Sequence, residues 1–273
     1  MFRSRWMIWL LLLVAGYLLI VVAMVLFQDR LVFVGARSGR GVAVVPPVGV
    51  VVDRLVGEDG GAFRIAIGRP TAPPRAVVVS FVGNGEDLRS GVHWAARWRD
   101  YELASVVVEY PGYGDSEGEP GTESMLAAAR VATAHARRLA NELAVPLVAV
   151  GSSLGSFMAT HVAGLGLVDR VLLLAPPTTM VEVASGHYPW LPIRFLLRHR
   201  FDSRTAATTI RVPVCIVHGD RDTVVPVSHG RALQQAIGDH AELIVVEGAS
   251  HNDLPLHPDG PLGATLRAFL HGR

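Results

Sequence analysis

The sequence predicts an α/β protein: a mostly parallel sheet with helices on both faces, preceded by one membrane-crossing helix. Three observations predict it. Short, continuously apolar runs alternate with helical patterns through most of the chain. The pentapeptide Gly151-Ser152-Ser153-Leu154-Gly155 falls between one such run and a helix-like stretch. The segment from Met7 to Phe27 carries no charge.

That N-terminal segment comes first. Its 21 residues span about 30 Å as a helix, the thickness of a bilayer core. Trp6 and Trp9 stand near its start, where aromatic side chains suit the membrane surface. A cleaved signal peptide has a shorter apolar run, about 7–15 residues, and ends in a small-residue cleavage site. Met24-Val25-Leu26-Phe27 offers no such site, so residues 1–29 read as an uncleaved anchor. Arg3 and Arg5 precede the span; Arg30, Arg37 and Arg40 follow it, beside Asp29. The basic residues are nearly balanced. The signal-anchor pattern then places the N-terminus inside and the domain on the extracytoplasmic side of the cell membrane.

Residues 30–273 have the size of one large α/β domain. The net charge of +1 gives no electrostatic case for nucleic acid or strongly acidic partners. The single cysteine, Cys215, lies within the apolar run 212–217 and reads as a small buried residue. No CxxC or His/Cys cluster suggests a metal, and no P-loop or dinucleotide fingerprint suggests a nucleotide. No cofactor is expected.

A Gly-, Val- and Pro-rich linker runs to about residue 47. Residues 50–56 and 62–67 are β-prone and joined by Glu58-Asp59-Gly60-Gly61, which reads as an antiparallel hairpin. Then the rhythm changes. Apolar strands are expected at 76–82, 104–109, 147–150, 171–174, 212–217 and 242–246. Helical patterns lie at 87–100, 122–142 and 156–165. Continuous apolar strands alternating with helices indicate a parallel sheet covered on both faces. Residues 177–210 break the rhythm. They hold Pro177, Pro189, Pro192 and the cluster His187-Tyr188-Pro189-Trp190-Leu191-Pro192. The stretch is too long for a plain connection and reads as a small cap over one end of the sheet.

The pentapeptide carries the chemistry. In G-x-S-x-G the central serine sits on a tight strand-to-helix turn, and glycines on either side admit the close backbone approach. Ser153 fits that position; Ser152 lacks the glycine spacing. The helix N-terminus behind it offers N–H groups to a developing oxyanion. A serine hydroxyl needs a base, commonly a histidine oriented by a carboxylate. Asp222, with Asp220 as its rival, follows the strand 212–217. His251 follows the strand 242–246. All lie past the carboxyl ends of strands, where open parallel sheets place their sites. His218 ends a strand and reads as structural. Two N–H groups would complete an oxyanion hole: Leu154, the residue after the serine, and Asn84 in Gly83-Asn84-Gly85.

With these motifs in hand, the chain resembles the α/β-hydrolase superfamily. It is most similar to membrane-anchored bacterial hydrolases of the serine-aminopeptidase-like and monoacylglycerol-lipase-like branch. The likeness rests on Gly83-Asn84-Gly85-Glu86-Asp87-Leu88, on Tyr110-Pro111-Gly112-Tyr113-Gly114-Asp115-Ser116-Glu117-Gly118, and on the pentapeptide. His218 to Pro226 and Gly248 to Asp253 add to it. The resemblance implies an α/β-hydrolase fold, with Ser153 as nucleophile, Asp222 as acid and His251 as base. It implies Leu154 and Asn84 as the oxyanion donors. One position departs from the family: Val82 stands where a histidine commonly precedes the oxyanion-loop glycine.

The expected activity is hydrolysis of a carboxylic ester or thioester, acyl- or lipid-like, by a serine enzyme held to the bilayer. The cap's Tyr188, Trp190, Leu191, Phe195, Leu196 and Leu197 favour acyl chains. Two other readings share the sequence. One is a peptidase, with Glu182 or Asp202 binding a substrate amine. The other is a non-catalytic, membrane-tethered binding domain on the same fold.

Overall fold

A computed structural model describes residues 2–36 and 38–272. Arg37, one of the basic residues flanking the span, lies outside the described residues, as does the side chain of Arg3. Helix α1 (Phe2–Leu26) is apolar around its circumference from Trp6 onward. Its stretch Arg5–Leu26 is long and apolar enough to cross a membrane, by length and composition. A short helix α2 (Gln28–Val32) follows at once.

Eight strands form one sheet: β1 (Val50–Val56), β2 (Ala62–Gly68), β3 (Ala76–Phe81), β4 (Leu103–Val108), β5 (Leu147–Ser152), β6 (Arg170–Leu174), β7 (Val214–Gly219) and β8 (Ala241–Val246). Their order across the sheet is β1-β2-β4-β3-β5-β6-β7-β8. The expected hairpin is present, with Val50 opposite Gly68 and Val56 opposite Ala62. β2 pairs antiparallel with β4, and every later pairing is parallel. β3, β4 and β7 are buried along their whole length, which is why their sequences are apolar without alternation.

Helices cover both faces. α3 (Leu88–Asp100) packs on β2 and β4, and the C-terminal α10 (Gly263–His271) lies near it, its His271 ring bonding the Tyr101 carbonyl. α4 (Thr122–Leu143), α5 (Gly155–Gly164), α8 (Ser203–Ala207) and α9 (Ser228–Ile237) touch in sequence along the other face. Asp87 caps α3 through the Arg89 N–H. β7 begins two residues later than the apolar run 212–217, because Pro213 has no N–H to give the ladder.

The segment 177–210 divides in two. α6 (Met180–His187) and α7 (Ile193–Leu196) enclose a small cluster of Leu191, Ile193 and Leu197. Phe201, Ala207 and Ile210 instead join the main core, with Phe201 stacked on Phe157 of α5. Val21 and Met24 of α1 pack against the small cluster. The N-terminal helix and α6–α7 therefore share an apolar contact.

A buried ion pair ties the sheet to the loops above it. Arg64 on β2 donates two hydrogen bonds to Glu109, at 2.7 and 2.9 Å. Glu109 also accepts from the Leu88 N–H at 2.8 Å and the Ser116 hydroxyl at 2.8 Å. Burial pushes the Arg64 guanidinium down, but Glu109 and Asp115 beside it more than restore its charge. Removing one partner of a buried pair strands the other charge away from water. Glu109→Ala is therefore expected to lose about 3–5 kcal/mol of stability, read as a shifted midpoint in denaturant unfolding of the detergent-solubilised protein.

Candidate active site

The site begins with a backbone conformation. β5 ends at Ser152 and α5 starts at Gly155, so the chain reverses within two residues. Ser153 takes up that reversal at φ +49°, the left-handed region that side-chain-bearing residues avoid. Its own N–H is held by the Leu174 carbonyl at 2.8 Å, the neighbouring strand's last residue. The flanking glycines have geometric reasons. A Cβ on Gly151 would lie 2.6 Å from the Gly155 carbonyl oxygen and from Ser156 Cα. A Cβ on Gly155 would overlap the Phe81 carbonyl at the end of β3 and sit 2.8 Å from the Val82 carbonyl. The close approach lays the start of α5 directly against the loop that follows β3.

Asp222 and His251 converge on this serine from the ends of β7 and β8, the last two strands. His251 Nδ1 lies 2.7 Å from Asp222 Oδ2, and Nε2 lies 2.9 Å from Ser153 Oγ. The carboxylate accepts from Nδ1–H, which leaves Nε2 free to accept the serine proton. Asp222 Oδ1 accepts the N–H groups of Val224 and Val225 at 2.9 and 2.8 Å. Its side chain is fully buried. Burial pushes the carboxyl up, but hydrogen bonds from His218, His251 and the Val225 N–H outweigh it and hold the group well below the usual carboxylate range. Asp220 is not part of this chain; it accepts the Gly248 N–H at 2.7 Å and so fixes the turn before His251.

Asn84 and Ser153 line the same cleft, with Gly83, Glu86, Trp94, Arg97 and Leu254 among its walls and a volume of about 570 Å³. Neither the Asn84 N–H nor the Leu154 N–H has an acceptor among the described residues. The loop that carries Asn84 is held on every side. Tyr113 donates to Asn84 Oδ1 at 2.7 Å, and Asn84 Nδ2 donates to the Val32 carbonyl at 2.6 Å. Tyr110 donates to the Val82 carbonyl at 2.6 Å. Glu86 accepts from the Gly83 N–H at 2.5 Å and from the Trp94 indole at 2.7 Å. Burial pushes both tyrosine hydroxyls up, so each stays a donor.

Sequence reasoning missed Glu86, Tyr110 and Tyr113 as supports of this loop. The signal available was the pair of tyrosines around Pro111-Gly112, whose turn places both hydroxyls under the β3 end. His218, read as structural, lies fully buried behind the acid. Its Nε2 is 2.7 Å from the Val225 carbonyl and 3.4 Å from Asp222 Oδ2. The two carboxylates considered for an amine are engaged elsewhere. Glu182 accepts from the Thr178 hydroxyl and from Arg204 at 2.9 Å. Asp202 caps α8 through Thr205. Burial pushes the Cys215 thiol up to about 12, so it stays a neutral core group. Among the described residues no cluster of three His, Cys, Asp or Glu is arranged to hold a metal ion.

A serine strained at a strand-to-helix turn, the sheet order and the convergence of three strand-end loops together define an α/β-hydrolase fold. The chain has the α/β-hydrolase fold, with a mostly parallel eight-stranded sheet. No protein-family model matches it. It is 28% identical to an uncharacterised protein of Mycobacterium tuberculosis, over 89% of this chain and 87% of that one. It is 30% identical to human alpha/beta hydrolase domain-containing protein 17B over 55% of this chain, which spans half of that relative's length. Among solved structures, an esterase of Pyrococcus furiosus superposes with a TM-score of 0.64 at 15% identity, covering 84% of this chain and 97% of that one. A monoacylglycerol lipase of Paleococcus ferrophilus superposes at 0.54 and 17% identity, covering 77% and 97%.

The depressed Asp222 carboxyl has a pH consequence. Its ordinary value is 3.8 and its folded value lies lower. Ionised Asp222 therefore stabilises the fold above pH of about 4, and that contribution is lost as the pH falls through the folded value. The stability difference between wild type and Asp222→Asn is expected to narrow as the pH falls below about 4. Denaturant titrations at several pH values read this directly.

Proposed function

We propose that the protein is a membrane-anchored serine hydrolase acting on carboxylic esters or thioesters. The observation that carries this reading is the unbroken hydrogen-bonded chain from Ser153 Oγ through His251 to buried Asp222, with Ser153 in the left-handed conformation. Ser153 Oγ attacks the acyl carbonyl while His251 Nε2 takes its proton. Asp222 stabilises the imidazolium that results. The free N–H groups of Leu154 and Asn84 receive the oxyanion, preorganised by Tyr113 and Glu86. His251 then protonates the departing alcohol or thiol. Water, activated by the same imidazole, releases the acid from Ser153.

The likeness to an esterase and a monoacylglycerol lipase supports an ester as substrate. An alcohol or thiol is also easier to expel than an amine. The engagement of Glu182 and Asp202 outside the cleft counts against an aminopeptidase. The apolar helix α1 supports anchoring in the cell membrane, with the catalytic domain on the extracytoplasmic side. No cofactor enters the scheme.

A fluorophosphonate probe is expected to label wild-type protein at Ser153. Ser153→Ala loses ester turnover by at least about 10⁴-fold. Absence of labelling with undiminished turnover by the variant overturns the reading. Faster turnover of aminoacyl anilides than of p-nitrophenyl esters replaces the esterase with a peptidase. A C-terminal alkaline phosphatase fusion, active only outside the cytoplasm, is expected to be active; an inactive fusion beside an active cytoplasmic reporter reverses the orientation.

A further inference from the structure

The N-terminal helix is joined to α6–α7 by more than apolar contact. Tyr17 donates to the Trp190 carbonyl at 3.1 Å, and the two rings meet edge to face. Gln28, a buried amide, accepts from the Arg198 N–H at 2.8 Å and donates to the Val25 carbonyl at 3.0 Å. Asp29 pairs with His199 at 2.8 Å. A buried amide satisfied across two elements fixes one docking geometry.

Between the two elements lies an apolar cavity of about 250 Å³. Met24 and Val25 wall it from the helix, and Val183, Ala184, Leu191 and Leu196 from the cap. It adjoins the catalytic cleft at two points. Val32 lines the cavity, and its carbonyl accepts from Asn84, which lines the cleft. On the other side His187 lines the cavity, and its Nε2 lies 2.9 Å from the carbonyl of Val224, another cleft residue. Two hydrogen-bonded residue pairs thus separate the polar reaction centre from a slot that is mainly hydrocarbon. At less than the ~300–1,000 Å³ of a drug-sized pocket, the slot suits a chain better than a headgroup.

The position along the helix adds a second constraint. Tyr17 lies nine residues before Leu26, about 13 Å back along α1 at 1.5 Å per residue. The cap's loop therefore reaches alongside the apolar span, well short of its end. Trp190 is half-exposed there, beside Tyr17.

We infer that the last turns of the N-terminal helix, together with α6 and α7, form the pocket for the substrate's acyl chain, loaded sideways from the bilayer. The inference rests on Ser153 as the acyl-accepting nucleophile and adds that the helix is part of the substrate site. The chain lies between Val25 and Ala184, its carbonyl carbon beside Ser153. The hydrophobic gain grows with chain length until the slot is full.

The test uses the full-length protein in phosphatidylcholine nanodiscs. Ala184→Phe fills the slot from the cap and Val25→Trp from the helix; neither residue touches the reaction centre. For each, kcat/KM is compared for p-nitrophenyl laurate and acetate. The laurate-to-acetate ratio is expected to fall about tenfold or more in both variants. An unchanged ratio overturns the pocket, whatever happens to the absolute rates, and so does a change confined to the cap variant. Fluorophosphonate labelling is read in the same samples. Labelling with an unchanged ratio sinks the pocket alone. Absence of labelling and turnover sinks the hydrolase reading, and a diazirine-bearing palmitate then judges the pocket. Adducts in residues 24–32 or 180–197 that vanish in Ala184→Phe uphold it; no adducts there overturn it.

Discussion

The contact between Gly155 and the end of β3 is the constraint on which the rest of the site depends. Only a residue without a Cβ lets α5 begin so close to the Phe81 carbonyl. That approach forces the reversal at Ser153, and the reversal places the serine in its left-handed conformation. The same approach lays the start of α5 against Val82, next to the loop carrying Asn84. One steric condition therefore arranges the nucleophile and both oxyanion donors of the proposed mechanism. The strain of order 1–3 kcal/mol at such a residue is opposed by strand pairing on both sides of β5.

Around that contact, the protein fixes its loops with buried polar groups rather than with apolar packing. Glu109 gathers Arg64, Ser116 and the first turn of α3. Tyr113 and Glu86 hold the loop after β3. His218 and the N–H groups of Val224 and Val225 hold Asp222. Each network is expensive to break because its members lie out of water. A site assembled from three separate strand ends needs such directional links, since apolar contacts alone would let the loops shift by the fraction of an ångström that hydrogen-bonded proton transfer does not forgive.

Much of this was legible in the sequence. The hairpin, the parallel strands and the long helices follow from apolar runs and their spacing, and Ser153, His251 and Asp222 from motifs at strand ends. Boundaries moved where a single residue has local consequences, as at Pro213. The supports of the loop after β3 were not legible. A tyrosine hydroxyl or a glutamate can bond almost anything within reach, and which partner it meets depends on how residues 84, 86, 110 and 113 are brought together in space. The joint between α1 and the cap is a sharper case. It links Tyr17 to Trp190 and Gln28 to Arg198, positions about 170 apart whose pairing leaves no local pattern. The exposed Trp190 and Phe195 stood out as apolar, but their neighbour did not.

The docked helix also carries a consequence for how reactants meet. A tether on a loose linker lets a catalytic head wander through a hemisphere of solvent. Here Gln28, Asp29 and Tyr17 clamp the head to its own span, so Ser153 keeps one height and one tilt above the plane of the bilayer in which α1 is proposed to lie. For the bilayer-borne substrate proposed above, search would then become two-dimensional. Encounters would then be set by lateral diffusion and by the surface density of substrate rather than by its concentration in water.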